Sequence, residues 1–132
     1  MEKSRDRELT ILVLAGAVAV GVHAGMAPDE LEEWAPLGAC FIAAAVVLAG
    51  GVAVLAVDRR HVERTAAVLA LLLVGLVAGY VATRVAALPP LDPDREPLDT
   101  LGVATTAIEA AGLVAALRLT RRPAPSTPGG KQ

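Results

Sequence analysis

Aromatic side chains are almost missing from this chain, which has one Phe (Phe41), one Trp (Trp34) and one Tyr (Tyr80) in 132 residues. A core built on large rings is therefore excluded, and so is a binding site lined by several of them. Cysteine occurs once, at Cys40. That rules out an intrachain disulfide and any Cys-x-x-Cys redox or zinc motif. Cys40 lies in an apolar run and reads as a small hydrophobic residue. The two histidines, His23 and His61, show no metal-ligand spacing, so neither a zinc nor a haem site is expected. There is no Gly-x-Ser-x-Gly elbow, no P-loop and no dinucleotide fingerprint, and no other signature of common enzyme chemistry. No enzyme activity, cofactor, metal site or nucleic-acid partner is expected.

What the chain has in excess is aliphatic. Hydrophobic residues make up 55% of it and the mean hydropathy is +0.56, carried by Ala, Val, Leu and Gly. They fall into four runs, at residues 9–26, 35–57, 66–88 and 98–117. Each is about the 20 residues that a helix needs to cross the hydrocarbon core of a bilayer. None alternates apolar and polar positions in the way a water-facing helix must. The expected fold is all-α: a polytopic four-helix transmembrane bundle with short loops, forming one domain over residues 1–122. The tail at 123–132, rich in Pro, Ser, Thr and Gly, reads as a disordered cytoplasmic end.

The net charge of −2 conceals a lateral asymmetry. Ten basic residues (Lys3, Arg5, Arg7, Arg59, Arg60, Arg64, Arg118, Arg121, Arg122 and Lys131) flank the runs on one side, against two (Arg84 and Arg95) on the other. The positive-inside rule then places both termini and the 58–65 loop in the cytoplasm. Residues 27–34 form an acidic outer loop ending in Trp34, with a turn or short helix at the interface. Residues 88–97 form a proline-rich outer loop that is extended and non-helical. The short 58–65 loop makes the second and third helices antiparallel neighbours. A second reading treats the first run as a cleaved signal peptide, with Val22-His23-Ala24 as the small-residue site.

Glu109 is the residue most in need of explanation. It lies about 16 Å along the fourth helix from Leu98 at about 1.5 Å per residue. An acid at that depth costs on the order of 2.5–3.5 kcal/mol. It must face the interior and be either neutral or paired, with Thr105 and Thr106 one turn away as candidate hydrogen-bond donors. His23, Glu33 and Arg84 fall at the expected outer ends of their helices, with Tyr80 one turn deeper than Arg84. Together these residues form a candidate polar site, in which Arg84 either anchors the interface or reaches inward to Glu109. Gly75 and Gly79 on the third helix, and Gly102 and Gly112 on the fourth, are candidate helix-packing positions.

Two stretches carry a resemblance. One contains His23, Ala27-Pro28, Glu32-Glu33-Trp34, Pro36-Leu37-Gly38 and Phe41. The other contains Thr83-Arg84, Leu88-Pro89, Glu96-Pro97, Thr105-Thr106 and Glu109. Together they resemble a group of small four-span integral membrane proteins of high-GC bacteria, mostly uncharacterised, and the predominance of Arg over Lys accords with such a source. The resemblance implies a multi-pass protein of the bacterial plasma membrane and brings no activity with it. Where those proteins often carry a second His in the first outer loop, this chain has Asp29, Glu30 and Leu31. The small multidrug resistance transporters also have four short helices and a buried Glu. Their Glu is in the first helix and their pocket is aromatic, and this chain matches neither feature.

The first expectation for function is a non-enzymatic accessory or interaction protein. Its partners would be the bilayer and either copies of itself or another membrane protein, and Glu109 and Arg84 would lock the bundle. The alternative is a small proton- or ion-coupled transporter with Glu109 as the titrating group. A metal-binding redox component at His23 ranks third.

Overall fold

The structure is a computed structural model that describes residues 2–87 and 97–121. Among these residues the chain is entirely helical. α1 runs Glu2–Glu33, α2 Ala35–Val57, α3 Val62–Val85 and α4 Thr100–Thr120, with one 3-10 turn at Arg59–His61 between α2 and α3. All four helices are long and apolar enough to cross a membrane. Most of the 88–97 loop and the 123–132 tail lie outside the described residues.

The helix limits differ from the apolar runs in one instructive way. α1 does not stop at Met26 but continues through the acidic stretch to Glu33, with Pro28 inside it. The expected 27–34 loop is therefore about two more turns of helix, and only Trp34 breaks from it before α2 begins. Hydropathy marks where a helix would leave lipid. Its hydrogen-bond ladder ends elsewhere, and Asp, Glu, Leu and Ala all tolerate helix outside the apolar zone. Trp34 is extended, and Pro36 occupies the first turn of α2, where its missing N–H costs nothing. Gly38 makes this reversal possible, because a Cβ there would stand 2.5 Å from the Leu31 backbone nitrogen. At the opposite reversal, the Asp58 carboxylate accepts from the Arg60 N–H at 2.8 Å and from His61 Nδ1–H at 2.9 Å. The Arg60 N–H first, and then His61, hold that carboxyl below its ordinary range. α4 begins at Asp99, whose side chain accepts from the Gly102 N–H, an N-cap that satisfies one of the helix's free donors.

The helices form an up-down bundle in which each packs on its neighbours in sequence and α1 closes the ring against α4. α2 and α3 are neighbours, as the short loop requires, but they are the least intimate pair in the ring. The bundle divides into two unlike halves. Toward the end holding Asp58 and the termini, Leu12, Leu48, Leu55, Leu69 and Leu73 are fully buried, with Ala19, Ala66, Ala115 and Ala116 between them. Gly112 faces Ala15 and Gly51 faces Leu69 in this half, each at a distance that leaves no room for a Cβ. Ion pairs clasp the same end: Arg118–Glu8 at 2.9 Å, Arg59–Asp6 at 2.7 Å and Arg5–Glu63 at 3.7 Å. The half toward Trp34 is open inside.

Candidate functional site

In the Trp34 half the four helices enclose a cavity of about 450 Å³, lined mostly by apolar side chains and reached by residues of every helix. The void follows from the small residues that face it. Gly75 and Gly79 of α3 line it, and a Cβ at either would meet nothing within 4 Å. Within one copy of the chain, the pair does not pack against a neighbouring helix. Small side chains permit close approach but do not compel it, and here α2 stands away. Cys40, exposed on α2, lines the same space. Gly102 and Gly112 do serve in packing, the first against the Tyr80 ring and the second against Ala15.

Glu109 lies on the cavity wall near the middle of α4, with 2% of its surface exposed. Its Oε1 has no hydrogen-bond partner. His23 of α1 places its Nδ1 3.7 Å from that oxygen, too far for a hydrogen bond. Instead Nδ1 lies 2.9 Å from the Ala19 carbonyl. A carbonyl can only accept, so Nδ1 carries the proton. The other ring nitrogen, Nε2, then holds the lone pair in the neutral form. The ring is seated edge-on to Phe41, 5.1 Å between centroids.

Arg84 does not pair with Glu109. Its guanidinium meets Asp99 at 3.0 Å and the Thr83 hydroxyl at 3.0 Å, and it lies 4.3 Å over the Tyr80 ring. The Arg84 charge is thus engaged at the α3–α4 end and not with the carboxyl expected to need it. The Tyr80 hydroxyl is buried with no hydrogen-bond partner. Thr105 and Thr106 both line the cavity, but neither hydroxyl donates to Glu109.

Of the expected outer cluster, the structure brings His23 and Glu109 together and keeps Arg84, Tyr80, Thr105 and Thr106 on the same cavity. Glu33 is exposed at the end of α1 and lines nothing; Glu30, one turn earlier, is the α1 carboxyl on the wall. The signal for Glu30 was its spacing of seven from His23, which shares a face once α1 is read as continuous helix. Asp99 was also missed; its signal is the cap pattern Asp99-Thr-Leu-Gly102 ahead of an apolar run. Among the described residues, no group of three or more His, Cys, Asp or Glu is gathered in a way that could hold a metal ion.

What the site can do chemically follows from this geometry. A buried carboxyl with an unbonded oxygen, inside an apolar cavity, can exchange a proton or take up a cation, and an imidazole beside it can relay a proton. No protein-family model, curated protein or solved structure matches the chain.

Proposed function

We propose that the chain is a small multi-pass carrier of a bacterial plasma membrane, with both termini cytoplasmic, in which Glu109 takes up and releases a proton as a solute enters and leaves the cavity. One observation carries this reading: Glu109 Oε1 is buried on the wall of a 450 Å³ cavity without a hydrogen-bond partner. A residue kept only to lock helices together would be expected to spend its oxygens on a neighbouring helix, since an unmade bond in an apolar interior costs on the order of 1–3 kcal/mol. The accessory-protein reading rested on an Arg84–Glu109 lock, and Arg84 is turned to Asp99. Among the described residues, the titratable groups that line the cavity with Glu109 are His23 and Glu30 from α1, Cys40 from α2, Tyr80 and Arg84 from α3, and Asp99 at the start of α4. Four helices give little width for a pathway within one copy, so a homo-oligomer is part of the proposal.

The test is proton flux in proteoliposomes under an imposed pH gradient, read by an internal pH dye. Glu109→Gln abolishes a pH-dependent flux while helical content by circular dichroism is unchanged. If wild type shows no flux and Glu109→Gln changes only the melting temperature, the carboxyl is structural and the accessory-protein reading replaces this one.

A further inference from the structure

The cavity has a mouth, a floor and a charge balance, and together they define what fits. The mouth lies between α2 and α3. These helices approach closely at Gly51 and Leu69 in the Asp58 half, whereas in the other half Cys40, Gly75 and Gly79 are exposed and line the void. That gap faces sideways out of the bundle, toward lipid in a membrane. The floor is the leucine-filled core, with Glu109 at its upper edge. Among the described residues, Glu30, Asp99 and Glu109 line the wall together with Arg84 and His23. Arg84 is already set against Asp99 at 3.0 Å. A cationic guest would find Glu109 Oε1 without a hydrogen bond, the nearby His23 Nδ1 being turned to the Ala19 carbonyl. The walls are otherwise apolar, and the buried Tyr80 hydroxyl offers a second unused polar atom on the same space.

We infer that the cavity binds a primary amine with an apolar body, entering between α2 and α3 and placing its ammonium group against Glu109. The inference rests on the carrier reading in taking Glu109 as the working group. It adds the chemical class of the solute and the route by which it enters. A protonated amine matches the site in two ways: its hydrocarbon part is buried by walls suited to it, and its three N–H donors serve the free carboxylate oxygen. The volume, about 450 Å³, lies within the range of about 300–1,000 Å³ usual for small-molecule pockets.

Three probes of one shape separate charge from size: 2-phenylethylamine, its neutral counterpart 2-phenylethanol, and 3-phenylpropanoate. Binding is measured on the full chain in lipid nanodiscs by isothermal titration calorimetry. The expected result is that the amine binds at least tenfold more tightly than the alcohol and that the carboxylate does not bind. In Glu109→Gln the amine should fall to the affinity of the alcohol, while the alcohol keeps its own affinity within about twofold, which shows that the cavity is still formed. The single thiol gives a second readout: saturating amine should slow alkylation of Cys40 by N-ethylmaleimide severalfold, because Cys40 stands at the mouth. Equal binding of amine and alcohol to the wild type overturns the inference, as does an amine affinity that survives Glu109→Gln, or Cys40 alkylation at an unchanged rate under saturating amine. Proton flux without amine is scored separately. Flux with no amine preference defeats only the solute assignment, and loss of Glu109-dependent flux defeats the carrier reading.

Discussion

Asp99 does two jobs with one carboxylate, and substitution can separate them. It caps α4 by accepting from the Gly102 N–H, and it accepts from Arg84 Nη2 at 3.0 Å. Replacing an N-cap Asp with Ala costs about 1 kcal/mol. The ion pair adds less, because the Asp99 side chain is 45% exposed; screened pairs of this kind are worth about 0.5 kcal/mol. Asp99→Ala should therefore destabilise the bundle by about 1.5 kcal/mol, roughly a tenfold change in the unfolding equilibrium. Asp99→Asn keeps a good cap acceptor and discards only the charge, so it should cost about 0.5 kcal/mol. The assay is reversible unfolding in mixed micelles, followed by helical circular dichroism. The pH dependence follows from the same contacts. The Gly102 N–H first, and the Arg84 guanidinium with it, hold the Asp99 carboxyl below its ordinary value of 3.8. A group whose folded value is depressed contributes fully above the unfolded value and loses that contribution as pH falls through the folded one. Wild type should thus lose the Asp99 contribution below about pH 4, and Asp99→Asn should lack that part of the acid slope. If Asp99→Asn is as costly as Asp99→Ala, charge rather than capping holds the start of α4. If Asp99→Ala is neutral, the account of this helix end is wrong.

Glycines in the two halves should respond in opposite ways. Gly51→Leu forces bulk against Leu69 and should destabilise by about 1–3 kcal/mol, whereas Gly75→Leu meets open space and should leave the melting temperature nearly unchanged while blocking amine binding. Arg118→Ala strands Glu8, 7% exposed, at the closed end. It should cost about 1–3 kcal/mol, and Glu8→Gln added to it should recover part of that loss in a double-mutant cycle. Orientation is checked in a Cys40→Ser background with a membrane-impermeant maleimide. Glu32→Cys should label in intact cells and His61→Cys only after permeabilisation; the reverse pattern would refute the cytoplasmic placement of the termini.

The sequence made the four helices legible because the apolar runs are long and the turns between them short. It misjudged the extent of α1 because hydropathy changes at Met26 while the hydrogen-bond ladder continues to Glu33. That one error had a consequence in the site. With residues 27–34 taken as loop, Glu33 was the natural outer acid; with α1 continuous, Glu30 shares the His23 face and Glu33 does not. The burial of Glu109 was readable from its place in an apolar run, and its partner was not. Pairing of Arg84 with Asp99 depends on where α4 begins relative to the end of α3, a tertiary fact that local spacing does not encode. The same holds for Gly75 and Gly79. A small-xxx-small pattern shows that a helix can be approached closely, and the neighbouring helix decides whether it is.

The two halves of the bundle also bear on how a carrier of this form would work. Leucines fill the half toward Asp58, and Arg118–Glu8 and its neighbouring pairs close that end. The cavity lies in the Trp34 half, and Glu109 stands at the boundary between open and packed. Passing anything beyond Glu109 requires Leu12, Leu69 and Leu73 to separate, because they occupy the space beneath it with none of their surface exposed. On the carrier reading the structure is then the state open toward Trp34. The opposite state would be reached by parting α2 from α3 in the Asp58 half while closing the Gly75–Gly79 gap. On that reading, the open space beside Gly75 and Gly79 on α3 is the room that α2 would take up as the gap closes.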